Sequence, residues 1–332
     1  MEKRPFGRTG LALSMLGFGC GAVGGLMVRG EPAEQERAIA RAIAAGINYF
    51  DTAVQYGNGT SETNLGKALA KLKLAEAVIG TKVRLPSADF ARVGTAVAAS
   101  LDGSLRRLGR ERVDILHLHN AITREGGGEA LSVRQVLDEV APAFERLKRD
   151  GKLRFLGLTA VGETAAIAEV LASGLFQSAQ IVYNLLNPSS GATLPKNYPG
   201  QDYGGLLDQA RDCGAGAIGI RVLAGGALSG SAERHPVASP PPAPIGSGAT
   251  YATDLERAER FRPLVEEGYA KSLSEAATRF ALSHPGIDTI LVGMASSAQF
   301  EAALAAVEQG KLPDAALRRA AQLQQGLVGE ER

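Results

Sequence analysis

Four polar side chains of different chemistry stand at or just beyond the ends of short apolar runs. Asp51 closes Asn48-Tyr49-Phe50-Asp51, Tyr56 follows in the next loop, Lys82 closes Ala77-Val78-Ile79-Gly80-Thr81-Lys82, and His119 follows Val113–Leu118. Taken singly, each has an ordinary reading: a strand-end Asp caps a helix, a Lys is solvated, a Tyr packs. Taken together they adjust one another's chemistry. A phenol with a reference pKa near ~10 exchanges protons poorly at neutrality, and an adjacent ammonium stabilises its phenolate. Lys82 can supply that charge, Asp51 can hold Lys82 protonated and aimed, and His119 can hydrogen-bond and orient a reacting oxygen. Such a set suits proton delivery to a carbonyl oxygen. It needs no metal, and His117, His119, His235 and His284 have no ligand-like spacing. His117 shares a strand face with His119 but sits one layer deeper, so it reads as a buried, hydrogen-bonded structural residue.

These residues need a scaffold that brings several strand ends to one place. Eight apolar runs read as strands: Leu16–Gly19, Asn48–Asp51, Ala77–Lys82, Val113–Leu118, Arg154–Leu158, Gln180–Tyr183, Ala217–Ile220 and Thr289–Val292. Between them lie amphipathic segments: Glu34–Ala45, Ser61–Ala70, Phe90–Leu108, Val133–Arg149, Thr164–Leu171, Leu206–Asp212, Leu255–Glu267, Ala276–Leu282 and Ala298–Glu308. Strands alternating with helices predict an α/β protein, a (β/α)8 TIM barrel, in which catalytic side chains gather at the C-terminal ends of the strands. The rival is a doubly wound open sheet. Its glycine fingerprint has a partial match in Gly17-Phe18-Gly19-Cys20-Gly21, but no acidic residue takes the ribose role after a second strand, and Asp51 is better explained by Tyr56 and Lys82.

The turn glycines in Pro5–Ser14 predict an N-terminal β-hairpin capping one barrel end. His235–Thr250, with Pro236, Pro240, Pro241, Pro242 and Pro244, reads as the one irregular stretch too long for an ordinary connection, placed after strand seven. Residues 1–332 read as a single domain, since α/β barrels routinely exceed the ~100–200 residues typical of one domain.

Composition narrows the function classes. The 36 Lys and Arg against 35 Asp and Glu leave a formal charge of +1, without a basic block to track a phosphate backbone, so nucleic acid is not an expected partner. No run reaches the ~18 apolar residues of a spanning helix, and Met1–Pro5 lacks the apolar region of a signal peptide. A cytoplasmic protein without a membrane partner is expected. Cys20 and Cys213 read as two reduced, buried thiols.

Over essentially its whole length the chain resembles the aldo-keto reductases. The resemblance rests on Arg8-Thr9-Gly10, Gly46–Ala53 with Tyr56-Gly57-Asn58-Gly59, Ser61-Glu62, Leu65–Leu69, Thr81-Lys82-Val83, Ser104–Gly109, Asp114–His119 and Tyr183–Leu186. It implies a catalytic tetrad at Asp51, Tyr56, Lys82 and His119, with Tyr56 the general acid in reduction and the general base in oxidation. It also implies a nicotinamide cofactor lying across the barrel mouth, NADP(H) favoured and NAD(H) the alternative. The cofactor positions it implies are Gly21, Ala22, Asp51, Thr159, Gln180, Ile220, Arg221, Leu223, Ala224, Gly226, Leu228, Gly293, Met294, Ala295, Ser297 and Gln299. Among them Gln180 matches a carboxamide-binding glutamine, while Thr159-Ala160 stands where many members have Ser-Asn. Ile220 replaces an aromatic that stacks on the nicotinamide. Arg221 suits a pyrophosphate, its alternative being a salt bridge to a carboxylate at the mouth. The helix after strand eight, with Ser296 and Ser297 before it, offers backbone N–H groups and serine hydroxyls to the adenosine phosphate, but Gln299 and Ala303 replace the Arg and Asn of some members. The Pro-rich loop takes the position of a strap over the cofactor.

The leading expectation is a reductase of small or medium aldehydes and ketones. The alternatives are an NAD-dependent sugar or alcohol dehydrogenase and a cofactor-binding regulatory subunit. Val54, Gln55, Asn120 and Gly24–Met27 are the expected pocket walls.

Overall fold

The apolar runs become strands because each can be covered on both faces. In the computed structural model, which describes residues 1–74 and 76–329, β1 (Lys3–Pro5) and β2 (Ala12–Ser14) pair as the expected antiparallel hairpin. Four parallel strands follow: β3 (Leu16–Gly19), β4 (Tyr49–Asp51), β5 (Val78–Val83) and β6 (Val113–Leu118). After a short pair, β7 (Ile122–Thr123) and β8 (Leu131–Ser132), come β9 (Leu153–Thr159), β10 (Ser178–Val182), β11 (Gly216–Ile220) and β12 (Thr289–Gly293). The eight longer parallel strands close into a barrel in chain order, with β12 returning to β3. This is the (β/α)8 architecture expected from the sequence. Residue 75 and residues 330–332 of the expected domain lie outside the described residues.

All six residues of β5 are buried, as expected of a strand packed on its inner face by the barrel and on its outer face by helices. The helix Pro32–Ala44 shows the complementary pattern, burying Gln35, Ala38, Ile39 and Ala42, one stripe at helical spacing. At the N-terminal mouth Phe6 and Leu13 of the hairpin region are fully buried and cluster with Tyr49, Val78, Ile115 and Ile218. The hairpin therefore plugs the barrel floor and leaves the opposite mouth for chemistry.

Three expectations on connections need correction. The Pro-rich stretch is not the only long irregular segment, because residues 183–205 between β10 and the helix Leu206–Asp212 also lack regular structure. That segment is held by side chains bonding backbone, including Asn187 Nδ2 to Gln201 O at 2.8 Å and Tyr198 Oη to Leu186 O at 2.7 Å. The expected helix Leu255–Glu267 is two, Tyr251–Glu259 and Pro263–Glu266, the second opening on a proline at its first position. Within 133–149 a π-helical stretch, Val136–Val140, precedes Pro142; Ala141 N–H reaches back five residues to Val136 O. No described helix is long and apolar enough to cross a membrane, and the described residues hold no cluster of three or more metal-ligating side chains.

Candidate active site

The loop carrying Tyr56 is set by backbone geometry first. Gly57, Asn58 and Gly59 all take positive φ, at 64°, 51° and 89°, a run that only glycine and, less readily, asparagine tolerate. This turn feeds the helix Thr60–Lys71, which is pinned beneath the mouth by two buried side chains. Ser61 Oγ donates to Cys20 O at 2.9 Å and lies 2.8 Å from Thr52 Oγ1. Glu62 receives Thr81 Oγ1 at 2.6 Å and Arg107 Nε at 2.7 Å. Helix and loop are thereby fixed against β5, whose next residue is Lys82.

The four expected catalytic side chains converge. Lys82, 1% exposed, donates to Asp51 Oδ1 and to Thr52 O at 2.9 Å, and its Nζ stands 4.8 Å from the centroid of the Tyr56 ring. The Tyr56 and His119 rings meet edge to face at 6.1 Å. Asp51 takes two further donors on Oδ2: Gln180 Nε2 at 2.6 Å and Tyr49 Oη at 2.9 Å. Gln180 Oε1 in turn accepts from Thr159 Oγ1 at 3.4 Å. Sequence reasoning missed Tyr49, although its signal was present: residues 49 and 51 lie on one face of a strand. Tyr49 fits because Gly17 and Gly80 face it, and a Cβ on Gly80 would stand 2.5 Å from its hydroxyl.

Burial and charge set the protonation states. Burial pulls against the Lys82 ammonium, but Asp51 and then Tyr56 hold its pKa above the ordinary lysine value. For Tyr56, burial is the largest influence and lifts the phenol above its usual range, while Lys82 favours the phenolate as expected. Tyr56 is therefore a held proton in this state. Burial, then Lys82 and Arg84, push His119 down to about 3, so it is a neutral imidazole; its Nδ1 lies 3.2 Å from Gln55 Oε1. His117 is the structural residue expected, fully buried with Nε2 2.9 Å from Ser178 Oγ. Cys20 and Cys213 are free thiols; Cys20 is buried as expected, whereas Cys213 is only half-buried.

A cavity of about 630 Å³, lined by none of the four tetrad side chains, runs from Arg221 between the β11 and β12 connections. Six of the expected cofactor positions line it: Arg221, Leu223, Gly226, Gly293, Ala295 and Gln299. Asp51, Thr159 and Gln180 belong instead to the hydrogen-bonded cluster under the mouth. Ala224, Leu228 and Met294 are buried in the hydrophobic core, so their side chains do not face the cavity. Gly21, Ala22 and Ile220, partly exposed at strand ends, do not line it either.

Two readings of charge are corrected. Arg221 forms no salt bridge among the described residues; it donates to Ala243 O at 3.3 Å, and its backbone, at φ 56°, is tied by Asn184 Nδ2 to Arg221 O at 2.9 Å. The helix opening at Ser297 is not an open anion site. Ser297 N and Oγ donate to Glu34 Oε1 at 3.0 and 3.3 Å, Ala295 N to Gln299 Oε1 at 2.8 Å, and Gln299 N to Ser296 Oγ at 3.3 Å. Arg234, just upstream of the expected strap, was missed. It lines the cavity, stacks on Tyr251 at 5.3 Å and donates to Ser239 O at 2.8 Å.

The size of the cavity and its two guanidinium groups fit a dinucleotide with a central pyrophosphate. Comparison with known proteins leads the same way. A model of the Aldo/keto reductase family matches residues 15–325. L-galactose dehydrogenase of Arabidopsis thaliana is 31% identical over 320 residues, spanning 93% of this chain and 89% of its own. Pyridoxal 4-dehydrogenase of Microbacterium luteolum is 28% identical, with 94% of each chain covered. Among solved structures, the holo form of an aldo-keto reductase from Bacillus halodurans matches with a TM-score of 0.71 at 26% identity, over 99% of this chain and 96% of that one.

Proposed function

Because the chain belongs to the aldo/keto reductase family, we propose that it passes hydride between a nicotinamide dinucleotide and a small or medium aldehyde, ketone or alcohol, with Tyr56 carrying the proton. The observation that supports this most directly is the placement of Lys82, pinned by Asp51 and Thr52 O with its ammonium against the Tyr56 ring. In reduction Tyr56 gives its proton to the substrate oxygen as negative charge develops there, and Lys82 stabilises the phenolate left behind. In oxidation Tyr56 takes the proton. Neutral His119 orients the oxygen, and the bound dinucleotide supplies or accepts the hydride. Arg221 and Arg234 would hold its pyrophosphate region, with Leu223 and Ala295 among the cavity walls. An assembled tetrad gives the regulatory-subunit reading no support.

Tyr56→Phe tests the assignment. General acid catalysis contributes about 10²–10⁴-fold, so turnover should fall by that factor while dinucleotide affinity, read from the fluorescence of bound NADH, stays within about twofold. A variant keeping more than half the wild-type rate would remove Tyr56 from the role.

A second reading, the NAD-dependent sugar or alcohol dehydrogenase, is favoured by one observation. The helix end that the resemblance assigns to the adenosine phosphate is occupied by the carboxylate of Glu34. A 2′-phosphate would meet a negative charge there, which favours NAD(H) over the NADP(H) expected from the resemblance. Two of the relatives carry dehydrogenase names, which supports the oxidative direction of this reading.

A further inference from the structure

Asp51 is the most heavily bonded group of the tetrad, and two of its three side-chain donors lie outside the tetrad. Oδ1 takes Lys82, while Oδ2 takes Tyr49 Oη at 2.9 Å and Gln180 Nε2 at 2.6 Å. Tyr49 is fully buried, and the room for its ring and hydroxyl comes from Gly17 and Gly80, where a Cβ would stand 2.8 and 2.5 Å from it. A phenylalanine would fill the floor of the barrel equally well, so packing does not account for the hydroxyl. That hydroxyl donates to Asp51 Oδ2 and also stands in hydrogen-bonding contact with Gln180, the other donor to the same oxygen.

We propose that Tyr49 is a positioning residue for the proton-transfer step: its hydroxyl takes up part of the Asp51 charge, so that the Lys82 ammonium acts on Tyr56 rather than being neutralised by its own counter-ion. The inference rests on the role given to Tyr56 above. A carboxylate whose second oxygen is satisfied attracts its ammonium less strongly, because donors to the charged form spread its charge. Removing the hydroxyl returns that charge to the Asp51–Lys82 pair and weakens the field Lys82 exerts on the phenol. The other groups that act on Tyr56 are unchanged by this: Cys20 after β3, His119 after β6 and Arg221 after β11.

The test is Tyr49→Phe, which deletes one oxygen. The limb of the pH profile of kcat/KM that belongs to Tyr56 should move to higher pH by about half to one pH unit. In the cofactor-free protein the tyrosinate absorbance due to Tyr56, isolated by subtracting a Tyr49→Phe/Tyr56→Phe double variant, should move the same way. A purely structural hydroxyl would lower the unfolding midpoint and leave both titrations in place, and that result would overturn the proposal. A spectroscopic shift in a protein that turns over no carbonyl or alcohol would uphold the coupling between Tyr49 and Tyr56 while defeating the proposed reaction, so the two failures are distinguishable. If Tyr49→Phe folds poorly, Gln180→Met removes the other Oδ2 donor. An upward shift there supports the charge-sharing account, and its absence counts against it.

Discussion

Lys82 and Asp51 are both almost fully buried, yet they do not depend on each other equally. Without Lys82, Asp51 would still accept from Tyr49 and Gln180. Without the Asp51 charge, the ammonium would retain only Thr52 O at 2.9 Å and the face of Tyr56. Breaking a buried pair from one side typically costs about 3–5 kcal/mol, because a charge is left uncompensated. Asp51→Asn should therefore lose about that much in urea unfolding, and Lys82→Met should lose clearly less. Equal losses would mean that Tyr49 and Gln180 do not support the carboxylate. The tetrad itself was legible because four unlike side chains recur at strand ends. Tyr49 was not, because a tyrosine within an apolar run reads as packing until the two glycines facing it are placed in space.

At the scale of elements, the informative contact joins two helices distant in sequence. Pro32–Ala44 presents Glu34 to the first turn of Ser297–Glu308, where its carboxylate meets the positive end of the helix. Motif reading finds helix starts from local residues such as Ser296 and Ser297. It does not reveal that a side chain far away in sequence already caps them. The same blindness to long-range partners hid the ordered character of residues 183–205, whose asparagines and serines read as an ordinary loop. Here they form a bonded net, with Asn187 Nδ2 on Gly246 O at 2.5 Å tying this segment to the Pro-rich stretch. The Glu34 contact bears on cofactor choice. Glu34→Gln keeps an acceptor for Ser297 while removing the charge, and the affinity ratio of NADPH to NADH should rise about twofold to fivefold, the usual worth of one charge at a helix end. Titration calorimetry with each dinucleotide measures it, and an unchanged ratio would place the cofactor's phosphate end elsewhere in the cavity.

For the whole molecule, stability and the working state of the site are coupled through protons. Burial lowers the pKa of His117, His119 and His284 in the folded chain, that of His119 to about 3. Unfolded, each would titrate near ~6.5. Between those values the unfolded chain binds more protons than the folded one, so stability is full above about pH 6.5 and falls as pH drops below it. Two aspartates oppose this at lower pH. Burial raises Asp254 and brings Asp288 to about 6, so both favour the folded chain as they gain protons on further acidification. The expected curve therefore turns downward as pH falls through about 6.5 and keeps falling toward acid, less steeply than the histidines alone would make it. Urea unfolding at a series of pH values would trace the curve, and His119→Asn should shallow its upper part. A slope unaffected by that change would mean that His119 titrates as it does in the unfolded chain, and that its imidazole is neutral only above about pH 6.5.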